Sequence, residues 1–320
     1  MHANLYQATD IKIHVYAIVT SLLPILSLIL LGLLLKQIRF IPDEAWSGIE
    51  RLTYFLLFPA LLIQSLGQQR LDGVPWREML FVIVGVLFVA SLLLVLGYRF
   101  RASVPGATFS SVFQGGVRFN TYIALALAQA FFGQQGLALA AVASGFMIVL
   151  INLLCISALY TWGDNRTQRR RGMAGEVLGN PLITACLVGW ALSLSGIGLP
   201  GPSDEVLEII GRAALPLGLL AVGAALRPRA LHGHMGATLA ASLVQFGVKP
   251  LVTAGLITVT GLTGSAAGVL VIAFMTPTAP SAYILARQLG GDTHTMASII
   301  TLQTLLGFAV MPLIAILMLN

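Results

Sequence analysis

The stretch FMTPTAPSAY, residues 274–283, places two prolines in the middle of an apolar segment. Its flanks, AAGVLVIA before it and ILARQLGG after it, have the composition of a membrane helix. A proline inside a helix removes a backbone donor and clashes with the preceding turn, which costs about 3 kcal/mol. In lipid, the carbonyls that it frees cannot turn to water. Pro277 and Pro280 therefore predict a helix interruption whose backbone groups find partners inside the protein or line a cavity.

Lipid is the environment that the composition predicts for this chain. Of the 320 residues, 57% are hydrophobic and 9% are charged, whereas about 25% are charged in an ordinary soluble domain. The sequence therefore predicts an all-α polytopic membrane protein with the lipid bilayer as its partner. The net charge of +6 comes from short loops between apolar runs, where the positive-inside rule places basic residues. That distribution argues against a nucleic-acid partner.

Runs of about 20 apolar residues mark membrane spans. The first run is predicted to be a retained span rather than a signal peptide, because no basic segment precedes it and no small-residue cleavage site follows it. Cys155 and Cys186 lie inside apolar runs without metal-ligand spacing, so they are interpreted as packing residues, and neither a metal nor a cofactor is predicted. The ten predicted spans are 14–36, 48–67, 78–98, 109–132, 135–162, 174–196, 205–226, 235–258, 263–288 and 295–319.

Basic residues are unequally divided between the two sets of loops that these spans define. One set carries eleven Lys and Arg residues, and the other set, with the N-terminal tail, carries three. The first set is therefore predicted to face the cytoplasm, with both termini external to the inner membrane. The predicted division is a five-span unit over 1–162, a basic connector over 163–173 and a second five-span unit over 174–320.

The two halves resemble each other when the sequence is shifted by 157 positions. Pro24 then meets Pro181, Gly32 meets Gly189, and Pro59 meets Pro216; these prolines are interpreted as kinks of a scaffold. Because five is odd, the second half must enter the membrane from the opposite face. The pattern predicts an inverted-topology repeat, which is common in secondary transporters.

The same shift carries Asn120 onto Pro277, so the fourth span is the counterpart of the ninth. The fourth span, SSVFQGGVRFNTYIALA, also has a helix-breaking centre, in which Gly115 and Gly116 precede a polar run. Two interrupted helices in corresponding positions point to the binding site of a transporter. The polar residues of the two centres are Arg118, Asn120, Thr121, Tyr122, Thr276, Thr278 and Ser281.

At these residues the sequence resembles the auxin efflux carrier family, in its bacterial malate and malonate permease branch. The resemblance covers essentially the whole chain and rests on FLLFPALL (55–62), GGVRFNTYIALALAQAFFG (115–133), ALPLGLLAVGAAL (214–226) and MTPTAPSAYILARQLGG (275–291). It implies ten helices in two inverted five-helix repeats, divided into a scaffold and a transport domain. Broken helices four and nine would cross at a central site, and an elevator motion would give alternating access.

The resemblance also implies roles for single residues. Asn120 is similar to the family's crossover asparagine, and Pro277 or Pro280 to its ninth-helix proline. Polar groups of helices two and five that lie near the substrate in plant members correspond to Gln64, Ser65 and Asn152. The chain departs from the plant branch in its short connector, and it lacks an acidic residue in the third span, which leaves no counterpart there for a proton-linked carboxylate.

Each polar candidate has a functional and a structural interpretation. Arg118 would offer a guanidinium to a carboxylate substrate, or it snorkels or pairs with a neighbouring helix end. Asn120 would bind the ligand, or it only joins helices by a hydrogen bond. Thr276, Thr278 and Ser281 would contact the ligand, or they bond to carbonyls that the prolines free.

Three further charged residues, Lys249, Glu50 and Arg51, lie within or near the predicted spans. Lys249 in the eighth span is a candidate for coupling, or it lies near the interface and snorkels. Glu50 and Arg51 lie close to the end of a predicted span and are interpreted as anchors at the membrane surface.

These observations predict a secondary active transporter for small organic anions rather than an enzyme. No P-loop, nucleophile elbow or metalloprotease motif is present. Basic residues near the break and helix ends within the membrane suit a carboxylate substrate. An anion channel and a non-transporting membrane sensor are the alternatives. Import, export, the coupling ion and the assembly, for which a homodimer is one candidate, stay open.

Overall fold

A computed structural model describes residues 22–68, 73–100, 104–164, 175, 179–232 and 235–319. The N-terminal tail and nearly all of the connector lie outside these residues, so the predictions of sidedness and of a domain boundary at 163–173 stay predictions. Within the described residues the secondary structure is helical, without strands.

Fourteen α-helical segments are described, in the following order. They are α1 Leu22–Gln37, α2 Asp43–Leu52, α3 Phe58–Gln68, α4 Trp76–Arg99, α5 Gly106–Val117, α6 Thr121–Trp162, α7 Pro181–Leu194, α8 Ser203–Arg212, α9 Ala214–Ala224, α10 Met235–Leu243, α11 Lys249–Thr260, α12 Gly264–Met275, α13 Ser281–Leu289 and α14 Thr293–Met318. A π-helical turn joins α2 to α3 (Thr53–Leu57) and another joins α10 to α11 (Val244–Val248), and a short 3-10 helix covers Pro228–His232.

Six helical runs in the described residues are long and apolar enough to cross a membrane, and three shorter apolar helices accompany them. One of the six, Gly106–Trp162, has 57 residues. At about 1.5 Å per residue it would extend about 85 Å if it were straight, far beyond the roughly 30 Å of a bilayer core. The fourth and fifth predicted spans both lie in this run, and the three shorter helices overlap the first, sixth and ninth predicted spans. The multi-pass helical character is confirmed, whereas the count of ten spans stays a prediction.

Both predicted helix interruptions are present. The helix α5 ends at Val117 and α6 begins at Thr121, with Arg118 and Asn120 in extended conformation between them. In the second half, α12 ends at Met275 and α13 begins at Ser281. The helices before the two breaks, α5 and α12, have 12 residues each, which is about 18 Å of helix. Each break therefore lies roughly halfway along the length that a full span requires.

Two glycines show the internal repeat in the backbone itself. Gly133 interrupts α6 with φ 60° and ψ −149°, and Gly290 ends α13 with φ 81°. Both φ values lie in the region that favours glycine over other residues, and the two positions are separated by the same 157 residues as Asn120 and Pro277. Each glycine closes the helix that follows a break. This correspondence supports the predicted repeat, while its inverted orientation in the bilayer stays a prediction.

Both π-helical turns precede a proline. Pro59 follows the first turn and Pro250 the second, and neither can donate to the carbonyl four residues earlier. The residue before each proline instead donates its N–H five residues back: Phe58 to Thr53 and Lys249 to Val244. The wider turn absorbs the proline without ending the helix. It also fixes the position of Lys249 at the start of α11.

Candidate functional site

The two helix breaks touch each other. The backbone N–H of Asn120 donates to Oγ1 of Thr276 at 3.3 Å, and this hydroxyl donates to the carbonyl of Ala273 at 2.9 Å. Asn120 and Thr276 are both fully buried. Residues from the two halves of the chain therefore meet at one buried point, which we call the crossover, comprising 117–120 and 276–280.

In the side-chain amide of Asn120, the oxygen has a hydrogen-bond partner among the described residues and the nitrogen has none. Its Oδ1 accepts from the N–H of Ile123 at 3.2 Å and so caps the N-terminus of α6. Its Nδ2 is buried and has no hydrogen-bond partner among the described residues. A buried donor without a partner is costly, and this one belongs to the residue at which the breaks meet. The amide can thus donate to a ligand without giving up its cap.

Lys249 binds the end of α5 through its ammonium group. Its Nζ donates to the carbonyls of Val117 at 3.3 Å and Arg118 at 3.0 Å, and to Oε1 of Gln245 at 2.7 Å. All three partners are oxygens, which matches the three protons that an ammonium can donate. The side chain is fully buried, which excludes the interpretation of Lys249 as a snorkelling residue.

Two glutamines connect the breaks from opposite elements. Gln245, in the π-helical turn before α11, donates from Nε2 to the carbonyl of Thr276 while it accepts from Lys249. Gln303 in α14 accepts from the N–H of Thr278 at 2.9 Å and donates to the carbonyl of Gly115 at 2.9 Å. Both side chains are fully buried. Backbone groups that the breaks release are therefore bonded to side chains instead of water, as the apolar surroundings require.

Arg118 is oriented by Asn152. Its Nη2 donates to Oδ1 of Asn152 at 2.9 Å, and Nδ2 of Asn152 donates to the carbonyl of Ile148 at 2.8 Å. Nε of Arg118 is buried and has no hydrogen-bond partner among the described residues. The predicted fifth-span residue Asn152 is thus brought to the crossover, where it holds the guanidinium.

Positive charge accumulates at the crossover. Lys249 and Arg118 are both buried, and the described residues contain no carboxylate within 4.0 Å of either one. The N-terminus of α6 also carries partial positive charge at this point. Carbonyls at the C-terminus of α5 offset part of the Lys249 charge. An anionic ligand would complete the electrostatic balance.

A cavity of about 620 Å³ leads from the protein surface toward the crossover. Its wall includes Lys36, Arg51, Arg227 and Arg287, together with Glu50 and the rings of Tyr54 and Tyr283. A smaller cavity of about 50 Å³ continues beside it and is lined by Tyr122, Pro280 and Ser281 among others. Four residues line both cavities: Glu50, Tyr54, Pro280 and Ile284. We call the larger cavity the basic vestibule and these four residues its neck.

The other predicted residues of the breaks are distributed around these features. Thr121 is half-buried at the start of α6, and Pro277 is buried in the second break. Thr278 is fully buried, and its Oγ1 has no hydrogen-bond partner among the described residues. Tyr122 packs edge-on against Phe58, with 4.4 Å between the ring centroids.

The structure does not bring the predicted second-span residues to the crossover. Gln64 donates to Asp204 at 3.2 Å and lines a separate cavity of about 860 Å³. This cavity has no lining residue in common with the vestibule or the small cavity. Ser65 is buried in α3 and lines none of the three cavities.

Sequence reasoning missed the polar residues that hold the crossover from neighbouring helices. Gln245 and Gln303 are the clearest cases, and Gln114 and Thr304 are also buried with side-chain polar atoms that lack partners among the described residues. Each interrupts an apolar run, and a polar side chain within a span is a sign of function. The i,i+4 spacing of Gln245 and Lys249 also places them on one helix face.

This arrangement defines a class of protein: a multi-pass helical membrane protein with two interrupted helices in contact at a buried polar site. The family described as "Membrane transport protein" matches residues 17–177 and 173–315. The chain belongs to this family, the auxin efflux carrier family that its motifs resemble.

Two curated relatives match nearly the full length of the chain. An "Uncharacterized transporter" of Methanothermobacter thermautotrophicus is 25% identical over 298 residues, which cover 92% of this chain and 96% of the relative. A "Putative malonate transporter" of Rhizobium meliloti is 22% identical over 294 residues, which cover 90% of this chain and 91% of the relative.

Proposed function

We propose that this protein is a secondary active transporter for small organic anions and that it binds a carboxylate group at the crossover. One observation carries the proposal: Lys249 and Arg118 are buried there with no carboxylate within 4.0 Å among the described residues. Buried charges in proteins are normally paired. A carboxylate ligand supplies the missing negative charge.

We assign different roles in ligand binding to the residues of the crossover. Nδ2 of Asn120 and Nε of Arg118 are unpartnered donors, so they are the groups that we assign to the ligand carboxylate. Lys249 keeps its bonds to the carbonyls of α5 and acts as a fixed positive charge that holds the break open. Thr278 and Ser281 face the ligand from the second break.

Alternating access is supported by the separation of the cavities. The basic vestibule holds Lys36, Arg227 and Arg287, which belong to the loops predicted to be cytoplasmic. The cavity at Gln64 lies toward the predicted external ends of α3 and α8 and shares no residue with it. We infer that the ten predicted spans form two inverted repeats and that an elevator motion presents the crossover to each side in turn.

Separate cavities also argue against the alternatives. A channel would require a continuous polar path through the protein, whereas polar groups here concentrate at the crossover. A sensor would have no need for the second cavity. The relative named as a "Putative malonate transporter" supports a short dicarboxylate as the first substrate to test, in the inner membrane of the cell.

Ligand binding by the purified protein tests the proposal. Thermal unfolding is measured against monocarboxylates, dicarboxylates and indole acids, because a ligand at 100 times its Kd stabilises the native state by about 2.7 kcal/mol. Any acid that stabilises the protein is then followed as labelled substrate in counterflow between proteoliposomes and buffer. Saturable counterflow without sustained current supports a carrier. Sustained current with no counterflow identifies a channel, and no stabilisation by any acid contradicts the proposed site.

A further inference from the structure

Glu50 lies at the neck of the basic vestibule. It lines both the vestibule and the small cavity at Tyr122, Pro280 and Ser281. The residue is half-buried, and it belongs to Asp43–Gln68, one of the runs long and apolar enough to cross a membrane. Its side chain therefore borders the place where the vestibule adjoins the small cavity.

The Glu50 carboxyl group has no hydrogen bond or ion pair among the described residues. The ion pairs among the described residues are Lys36 with Asp43 at 2.7 Å, in the vestibule, and Arg212 with Glu208 at 2.6 Å, in the cavity at Gln64. Lys36 is thus already paired, although it lines the same vestibule. Arg227 makes a cation–π contact with Tyr283, in which its Cζ lies 4.6 Å from the centroid of the ring. Glu50 is therefore an acid without an ion pair among the described residues, whereas Asp43, the other acid of this wall, is paired with Lys36.

Charged and titratable groups face Glu50 from several elements. Each of them lines the vestibule, the small cavity or both. They are Lys36 of α1, Asp43 and Arg51 of α2, Tyr54 of the first π-helical turn, Tyr122 of α6, Arg227 after α9, and Tyr283 and Arg287 of α13.

An ionised carboxylate at the neck opposes the passage of an anion. Like charges repel strongly where water is scarce, so the ionised form of Glu50 raises the barrier for a carboxylate substrate. The protonated form has no charge and gains an O–H donor, which a substrate carboxylate can accept. Passage is thus favoured when Glu50 holds a proton.

We propose that Glu50 couples anion transport to proton movement. The inference rests on the proposed function and adds its coupling ion. Glu50 takes a proton from the water of the vestibule and donates it to a substrate carboxylate at the neck, so the O–H bond of Glu50 breaks as an O–H bond of the substrate forms. The substrate carries this proton with the crossover and releases it to water on the other side, so each proton taken up is returned to solution.

The test compares Glu50→Gln with Glu44→Gln in proteoliposomes. Glu44 lies in the same helix, is exposed, and lines neither the vestibule nor the small cavity. Uptake of labelled malonate is measured between about pH 6 and about pH 8, while an entrapped pH-sensitive dye reports proton movement. Because malonate itself titrates equally in every sample, a difference between the variants isolates the contribution of the side chain.

Wild-type protein and Glu44→Gln are expected to lose about tenfold in uptake rate across this range, with protons moving alongside malonate. Glu50→Gln is expected to change by less than about twofold, without proton movement. A pH slope in Glu50→Gln equal to that of wild type overturns the role of Glu50 and leaves the transporter function standing. If Glu50→Gln fails to fold, the inference is tested with wild-type proteoliposomes. Malonate uptake without proton movement in these proteoliposomes overturns it. Absence of malonate and other carboxylate uptake in wild type overturns the proposed function with it.

Discussion

The ammonium of Lys249 lies 3.0 Å from the carbonyl oxygen of Arg118, so one buried cation holds the backbone of another. The guanidinium of Arg118 itself donates from Nη2 to Oδ1 of Asn152 at 2.9 Å. The pair places fixed positive charge at the end of α5 without an acidic partner among the described residues. Removing either cation therefore changes both the ligand affinity and the stability of the break.

Replacing Lys249 by methionine is expected to lower the melting temperature markedly and to abolish stabilisation by malonate. The variant leaves the carbonyls of Val117 and Arg118 without their donor, and hydrogen bonds to charged groups contribute about 1.5–3 kcal/mol. Arg77→Met is the matched control, because Arg77 is exposed and its guanidinium lies over the ring of Trp76. Differential scanning fluorimetry with and without malonate gives both values. A Lys249→Met protein that melts like wild type would contradict the role in the break.

Asn120→Ala and Asn120→Asp are both expected to abolish or greatly weaken transport. Alanine removes the free Nδ2 donor, and aspartate replaces it with negative charge facing an anion, so aspartate should be at least as damaging. Asn120→Ser separates capping from binding, because serine can still cap α6 but lacks the amide donors. Asn120→Ser should therefore be more stable than Asn120→Ala, while its transport rate stays as low.

The control for these variants is Asn180→Ala. Asn180 caps α7 in the same manner, with its Oδ1 accepting from Leu182 at 2.9 Å. Because its side chain also interacts with Tyr54 of the neck, this variant controls for the loss of a cap and not for flux. Loss of such a cap costs about 0.5–2 kcal/mol in both cases. Flux is normalised to folded protein. Wild-type flux in Asn120→Ala and Asn120→Asp would show that the site is placed wrongly.

Gln303→Leu is expected to destabilise the protein by about 2–4 kcal/mol, because it leaves the N–H of Thr278 and the carbonyl of Gly115 unpaired in an apolar interior. Gln303→Glu should be intermediate in stability, since it retains the acceptor for Thr278 and loses the donor for Gly115. Gln135→Leu makes the same substitution at an exposed position and controls for side-chain composition. Equal melting temperatures for Gln303→Leu and Gln135→Leu would exclude a structural role for the bridge.

Opposite sidedness of the connector and the C-terminus follows from the distribution of basic residues. Single cysteines at Asn165 and Asn320 are introduced in a protein lacking Cys155 and Cys186, both of which are buried. A membrane-impermeant maleimide added to intact cells should label position 320, and position 165 only after the membrane is opened. Labelling of both positions from one side would refute the inverted repeat and the count of ten spans together.

The helix breaks could be predicted from sequence because proline and glycine act locally. Pro277 and Pro280 disrupt a helix wherever they stand, and the repeat then identified the partner break at Asn120. The role of Gln303 could not be predicted in this way. It depends on hydrogen bonds to the N–H of Thr278 and the carbonyl of Gly115, both more than 20 residues away in sequence. The contact of Gln64 with Asp204 at 3.2 Å could not be predicted for the same reason, because the two residues are far apart in sequence. The number of spans also cannot be obtained from helix length alone, because a break divides one span into two short helices.

The bonds that fix the crossover have a mechanical consequence. Gln245, Lys249 and Gln303 tie α10, α11 and α14 to both breaks by directional hydrogen bonds. Toward α3, by contrast, Tyr122 of α6 presents its ring to Phe58, and apolar contacts have no preferred direction. Shear is therefore easier along the Tyr122 and Phe58 surface than within the bonded group. If these helices move relative to one another, the crossover should travel as a single solid piece, carrying its ligand without rearranging the groups that hold it.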